Sequence, residues 1–269
     1  MKISVNGEDI FVGSGSMPWV AQQRTLVLQH GAGMDRTIWV LLARYFARHG
    51  FNVVCADLPG HGASGGAALQ SIEAQATHLW DLLDVLREKH DLPHSPVILA
   101  GHSMGALIAL EAGSQRVKET EQLVLFGAGY PMAVGPALLD AAQSNLQSAV
   151  DMIALFGHSF RSQLGHNTVP GISAQNMAMA MLERSRPGVL FTDLKACNDY
   201  QRGEAAAQAL SDIQCTVISG REDRMTPMKS ARGLTQILNA RQQVIENCGH
   251  MMMSEQPEAT LQALRQCLV

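Results

Sequence analysis

The sequence predicts an α/β fold: a mostly parallel central sheet with helices on both faces, interrupted by a mostly helical insert. Three observations carry that expectation. Short runs that are apolar almost throughout alternate with longer stretches of helical apolar spacing, the pattern of parallel strands covered on both sides. This rhythm runs through residues 1–129, lapses over 130–195 and returns over 196–269. The chain has 269 residues, enough to bury one sizeable core.

The elements follow in order. "KISV" and "EDIFV" flank Asn6-Gly7, the strongest short signal for a hairpin. "TLVLQH" (25–30) reads as a buried strand, and "DRTIWVLLARYFARHG" as a helix closed by Gly50. "NVVCADL" (52–58) is the next strand, followed by the helix of "SIEAQATHLWDLLDVLREKH", with Ser71 as N-cap. "PVILAGH", a short helix and "EQLVLFGAG" (121–129) continue the alternation. Residues 130–195 contain no convincing strand, several Gly, Pro and Ser breaks and the Met-rich "NMAMAMLERSRPG". Strands resume at "CTVISG" (215–220) and "RQQVIEN" (241–247), each followed by a helix.

Composition excludes several classes of function. Lys plus Arg number 20 against 24 Asp plus Glu, a net charge of −4 without like-charge blocks. No nucleic-acid footprint or attraction to anionic membrane follows from that balance. No apolar run is long enough to span a membrane, and "MKISVNGEDI" lacks the apolar region of a signal peptide. Five cysteines without C-x-x-C spacing read as reduced thiols, and the expected location is the cytoplasm. Self-association into a homo-oligomer is compatible with the sequence.

The chemistry centres on "VILAGHSMGALIALEAG" (97–113). Here Ser103 stands between Gly101 and Gly105, where a strand turns sharply into a helix. Such a turn strains the serine backbone and brings strand and helix too close for side chains two residues away. It lifts the hydroxyl above the sheet beside a helix N-terminus. A serine hydroxyl needs a base, and the base needs an orienting carboxylate. Catalytic groups of a doubly wound sheet gather at the carboxyl ends of its strands. "CTVISG" runs on into "REDRMTP" with Asp223, and "RQQVIEN" into "CGHMMMSEQPE" with His250. His250 is the one histidine beyond Asp223, so the order Ser, Asp, His selects it. Glu222 is a rival acid, and Asp223, one place further past the strand, also suits capping the helix of "TPMKSARGL". The N–H of Met104 and the glycine turn His30-Gly31-Ala32-Gly33 offer donors for a developing oxyanion.

Together "HGAG", "DLPGHGAS", "GHSMG", "GREDRMTP" and "CGHMMMSEQPE" resemble the α/β-hydrolase superfamily, in its serine-nucleophile branch of small esterases and cofactor-free haloperoxidases. The resemblance runs from about Val27 to the C-terminus outside the insert. It implies Ser103 as nucleophile, His250 as general base, Asp223 as the orienting acid, and Ala32 and Met104 as oxyanion donors through their backbone N–H groups. It implies that the insert is a variable cap over the site. Ser103 sets the chain apart from the dehalogenases and epoxide hydrolases that resemble this fold but carry aspartate at the elbow.

Gly31, Met225 and Met251 are expected to line the substrate pocket. Met177, Met179 and Met181 could add a soft apolar wall, although a spacing of two spreads them around a helix. The remaining histidines lack the spacing of a metal site, His61 and His102 being turn residues. No phosphate loop is present, and neither cofactor nor metal is expected. The leading expectation is a serine hydrolase that cleaves carboxylic esters of small, largely apolar substrates through an acyl-enzyme. Cofactor-free perhydrolysis (haloperoxidase chemistry) or carbon–carbon bond hydrolysis is the alternative within the same site. A ligand-binding sensor with a retained triad is the alternative of another class.

Overall fold

Asn6 and Gly7 both adopt positive φ, 52° and 86°. That two-residue turn joins β1 (Lys2–Val5) to β2 (Glu8–Gly13) as an antiparallel hairpin with Val5 opposite Glu8. The computed structural model describes residues 1–268. Its remaining strands are β3 (Arg24–Gln29), β4 (Phe51–Ala56), β5 (Val97–His102), β6 (Thr120–Phe126), β7 (Gln214–Gly220) and β8 (Arg241–Ile245). All join one sheet in the order β1-β2-β4-β3-β5-β6-β7-β8. Pairing is antiparallel from β1 to β4 and parallel from β4 to β8. Every residue of β5 is buried. A strand covered on both faces has no polar side to show, which is why "VILAGH" reads as a continuous apolar run.

The covering helices of the first half are α1 (Val40–Ala47), α2 (Ile72–Lys89) and α3 (Met104–Gln115). Ser71 caps α2 as expected, its hydroxyl accepting from the Ala74 N–H at 3.2 Å. The helix expected from "DRTIWVLLARYFARHG" divides instead: a tight 3-10 turn, Arg36–Trp39, precedes α1. Asp35 imposes this by accepting from the Thr37 N–H, so the chain enters the turn already capped. Leu79, Leu83, Leu107 and Leu110 pack against one face of the sheet. Trp39, Phe46 and Leu264 fill the other face.

Between β6 and β7 lie six helices and, among the described residues, no strand. They are α4 (Pro136–Ser144), α5 (Leu146–Gly157), α6 (Phe160–Gln163), α7 (Ala174–Glu183), α8 (Val189–Asp199) and α9 (Gly203–Ala209). The expected insert boundary at 195/196 falls inside α8. On α7, Ala174, Ala178 and Leu182 form the buried stripe, one helical repeat apart, while Met177 is exposed and Met179 and Met181 flank the stripe. The chain closes with α10 (Arg232–Ile237), α11 (Met252–Glu255) and α12 (Pro257–Leu268). Among the described residues no helix is long and apolar enough to cross a membrane.

The parallel strands all deliver their carboxyl ends to one rim, and α3 meets β5 and β3 there backbone to backbone. A Cβ at Gly101 would stand 1.9 Å from the Gly105 carbonyl oxygen, and one at Gly105 would stand 2.3 Å from that of Gln29. Both obstacles are main chain and cannot rotate away. Gly105→Ala is therefore expected to lower the unfolding free energy by more than about 3 kcal/mol. Gly233, in α10, has nothing within 4 Å of an added carbon. Gly233→Ala is expected to leave stability unchanged or raise it by up to about 1 kcal/mol. Urea unfolding of the two variants beside wild type checks the contrast.

Candidate active site

Ser103 follows β5 directly and caps the N-terminus of α3 with φ 56° and ψ −118°. A residue with a Cβ adopts positive φ only under constraint. The constraint is visible: the Ser103 N–H donates to Phe126 O at 2.9 Å, and its carbonyl accepts from the Ala106 N–H at 2.9 Å. The serine side chain makes no capping hydrogen bond to the helix. Its hydroxyl thus stays available at the rim.

Asp223 and His250 converge on the same rim from β7 and β8. His250 Nδ1 lies 2.8 Å from Asp223 Oδ2, with both side chains buried. The carboxylate can only accept, so Nδ1 carries the proton. Asp223 divides its two oxygens between the turn and the imidazole. Oδ1 accepts from the N–H groups of Met225 and Thr226, at 2.9 and 2.8 Å, and so caps the turn, while Oδ2 faces the imidazole. Glu222 instead accepts from the Phe160 N–H at 3.2 Å. Burial drives the Asp223 carboxyl upward, but the adjoining His250 charge and the hydrogen bonds from His250 and Thr226 outweigh it. The net result is a carboxyl held below its usual range.

Two contacts bring the imidazole beside the elbow. His102, next to Ser103, donates from Nε2 to His250 O at 2.9 Å, and the two rings lie 4.6 Å apart. Gly127 follows Phe126, which anchors the Ser103 N–H. At φ 53°, it leaves room for the ring: a Cβ there would lie 3.0 Å from His250 Cε1. The N–H groups of His250 and Met251 both donate to Gly157 O, at 2.8 and 3.1 Å.

Met104 opens α3, and neither its N–H nor that of Ala32 has an acceptor among the described residues. Gly31 packs against the elbow, its Cβ position 3.3 Å from Ser103 Cβ.

A cavity of about 320 Å³ opens at Ser103. Its walls include Met132, Leu138, Ile153 and Phe156 from the helical insert, and Met225 and Thr226 from the loop after β7. Met251 lines a separate cavity of about 340 Å³ together with Met34 and Met181, and Gly31 lies behind the serine rather than in the wall. Another cavity, about 460 Å³, lies between the hairpin and α1 and contains none of Ser103, Asp223 or His250. Among the described residues no group of three His, Cys, Asp or Glu side chains is arranged to hold a metal ion.

Several residues of this site escaped the sequence reading. Thr226 Oγ1 lies 2.8 Å from Asp223 Oδ2 and from Gly127 O, and 3.1 Å from His250 Nδ1. Its position three after an acid is a turn signal that could have found it. Asp193, on α8, is fully buried. It accepts from His61 Nε2 at 2.7 Å and from the Gly33 N–H at 2.8 Å, pinning the loop that carries Ala32. Glu255 likewise accepts from the N–H groups of Ser159 and Gly249, at 2.8 and 2.9 Å. No local sequence signal marks either acid, because Gly33 and His61 for Asp193, and Ser159 for Glu255, lie far away in the chain.

Burial and the neighbouring His61 push the His30 imidazole down to about 4; burial and His250 push His102 down to about 3. His61 is also opposed by burial, but the Asp193 charge and hydrogen bond raise it above its ordinary value.

The chain matches the model of the Alpha/beta hydrolase family over residues 26–263. It is 29% identical over 250 residues to the (E)-2-((N-methylformamido)methylene)succinate hydrolase of Acinetobacter baylyi, covering 89% of this chain and 88% of that protein. It is 28% identical over 249 residues to a pimeloyl-[acyl-carrier protein] methyl ester esterase of Aromatoleum aromaticum, covering 87% and 93% respectively. The fold superposes on a thermophilic esterase from Thermogutta terrifontis with a TM-score of 0.83 at 18% identity, covering 100% of this chain and 97% of that one.

The electrostatics predict acid lability. In the unfolded chain these imidazoles take up protons near pH 6.5, whereas native His30 and His102 stay neutral down to about 4 and about 3. Stability therefore falls as pH drops below about 6.5. His61, with its pKa raised, acts oppositely: its contribution is complete below about pH 6.5 and is lost as pH rises through its native value. Urea midpoints at about pH 6.5 and about pH 4.5 check this. The lower pH should give the lower midpoint; an equal or higher one contradicts neutral His30 and His102.

Proposed function

The chain belongs to the α/β-hydrolase family, and we propose that it is a serine hydrolase cleaving carboxylic esters of small, largely apolar substrates through an acyl-enzyme intermediate. The observation that carries this reading is the buried Asp223–His250 contact of 2.8 Å at the rim where the strained elbow holds Ser103. A carboxylate fixing Nδ1–H leaves Nε2 as the basic nitrogen, on the side of the ring away from Asp223.

In this reading Ser103 Oγ attacks the ester carbonyl carbon as His250 Nε2 takes its proton. The imidazolium is stabilised by Asp223, which stays ionised because its carboxyl is held below the usual range. The oxyanion accepts from the N–H groups of Ala32 and Met104. Collapse breaks the ester bond, and the departing alkoxide takes the proton from His250. The acyl group remains on Ser103 Oγ. Water then attacks, with His250 again as base, releasing the carboxylic acid and restoring the serine.

Residues 130–195 act as the cap. Insert residues such as Met132, Leu138 and Ile153 surround the cavity at Ser103, which favours a substrate with an apolar body. All five cysteines are unpaired and buried, in keeping with a reducing compartment such as the cytoplasm.

Hydrolysis of p-nitrophenyl butyrate tests the reading. Purified protein is expected to turn it over with a burst of p-nitrophenol. Ser103→Ala should lower kcat by at least about 10⁴-fold and Asp223→Asn by about 10³-fold or more. Folded wild type that binds esters without turning them over supports the sensor reading instead. Turnover that survives Ser103→Ala removes the serine from the reaction.

A further inference from the structure

The cavity at Ser103 has one charged side chain in its wall, Arg224. The other polar residues there are Ser103 and Thr226, whose hydroxyl is already engaged with Asp223 and Gly127. Among the described residues Arg224 has no carboxylate within 4.0 Å, whereas arginines elsewhere, such as Arg36, Arg116 and Arg221, are paired with acids. Nearby Glu222 does not neutralise it, since that carboxylate turns to the Phe160 N–H.

The guanidinium is nevertheless held in place. Its Nη2 donates to Leu155 O and approaches His158 O at 3.4 Å, both at the end of α5. Its carbon stands 5.4 Å from the Phe156 ring centroid, and that ring also forms cavity wall. Both carbonyl partners engage Nη2 alone, so Nη1 and Nε keep three N–H groups. A guanidinium fixed by two carbonyls and an aromatic face, with its remaining fork unpaired, matches the planar, two-oxygen geometry of a carboxylate. Arg224 is solvent-exposed, so the contact is partly screened, and the geometry of the free fork rather than a buried charge would set its selectivity.

We infer that Arg224 is a specificity-determining residue that selects esters carrying a free carboxylate, the apolar body of the substrate spanning the cavity between Arg224 and Ser103. This rests on the hydrolase reading and narrows it from neutral apolar esters to monoanionic ones. The carboxylate does no chemistry. It fixes the register of the substrate, so that the ester carbonyl reaches Ser103 Oγ.

Two matched pairs of esters test it, one with the charge on the acyl side and one with it on the alcohol side. They are mono-p-nitrophenyl glutarate with p-nitrophenyl valerate, and 3-carboxyphenyl acetate with phenyl acetate. In at least one pair, wild type is expected to show a kcat/KM about tenfold or more in favour of the anion. Arg224→Gln should reduce that ratio at least tenfold, mainly through KM of the anionic ester, and Arg224→Lys should restore part of it. Using the ratio cancels any loss of folded protein, which affects both esters alike. A wild type preferring the neutral ester in both pairs, or a ratio unmoved by Arg224→Gln, overturns the assignment while Ser103-dependent turnover leaves the hydrolase reading standing. If wild type hydrolyses none of the four, both readings fall together.

Discussion

The contact between the first turn of α3 and the carboxyl ends of β3 and β5 constrains the rest of the structure. Main chain meets main chain there, with room for hydrogen alone at Gly101 and Gly105. The close approach forces Ser103 into positive φ, and Phe126 and Ala106 hold it there through backbone hydrogen bonds. Strain of this kind persists only where surrounding contacts over-determine it. Everything else at the rim is placed relative to that fixed point. His102 ties the His250 backbone to the elbow, Gly127 leaves space for the imidazole, and Asp223 fixes its tautomer.

Buried acids then bind the helical insert to this rim. Asp193 on α8 holds both Gly33 N–H and His61, so an insert helix determines where the Ala32 loop sits. Glu255 joins Ser159 of the insert to Gly249, next to His250. Isolated buried carboxylates are costly unless hydrogen-bonded, and these two make their bonds across the boundary between insert and sheet. Arg184 adds a more exposed link to Asp35 at 2.8 Å, which contributes less because solvent screens it. The cavity wall is thus coupled to the Ala32 loop and to the His250 loop through a few polar contacts. Shifting α8 would move the Ala32 loop as well as the cavity wall.

Much of this was legible in the sequence because local physics dictated it. Asn6-Gly7 can hardly be anything but a two-residue turn, buried strands must read as apolar runs, and glycines two places either side of a serine announce a close strand–helix approach. Order along the chain was enough to bring Asp223 and His250 into one pair. Contacts between distant segments were not legible. Asp193 and Glu255 look like surface acids until the fold supplies their partners. Thr226 resembles an ordinary turn threonine, and Met251, adjacent to His250, was expected in the pocket yet turns to a different cavity. On α7 the methionines drew attention, but Ala174, Ala178 and Leu182 are the residues that face inward. The edge of the insert was also hidden, since α8 runs through residue 195 without a break.

The central claim is that Ser103, His250 and Asp223 act as one unit, facing two oxyanion donors. A crystal structure after reaction with diethyl p-nitrophenyl phosphate addresses it most directly. The account predicts phosphorus bonded to Ser103 Oγ, a phosphoryl oxygen within hydrogen-bonding reach of the N–H groups of Ala32 and Met104, and His250 Nε2 within reach of the serine oxygen. An adduct on any other side chain, or an imidazole out of reach of the modified serine, would contradict it.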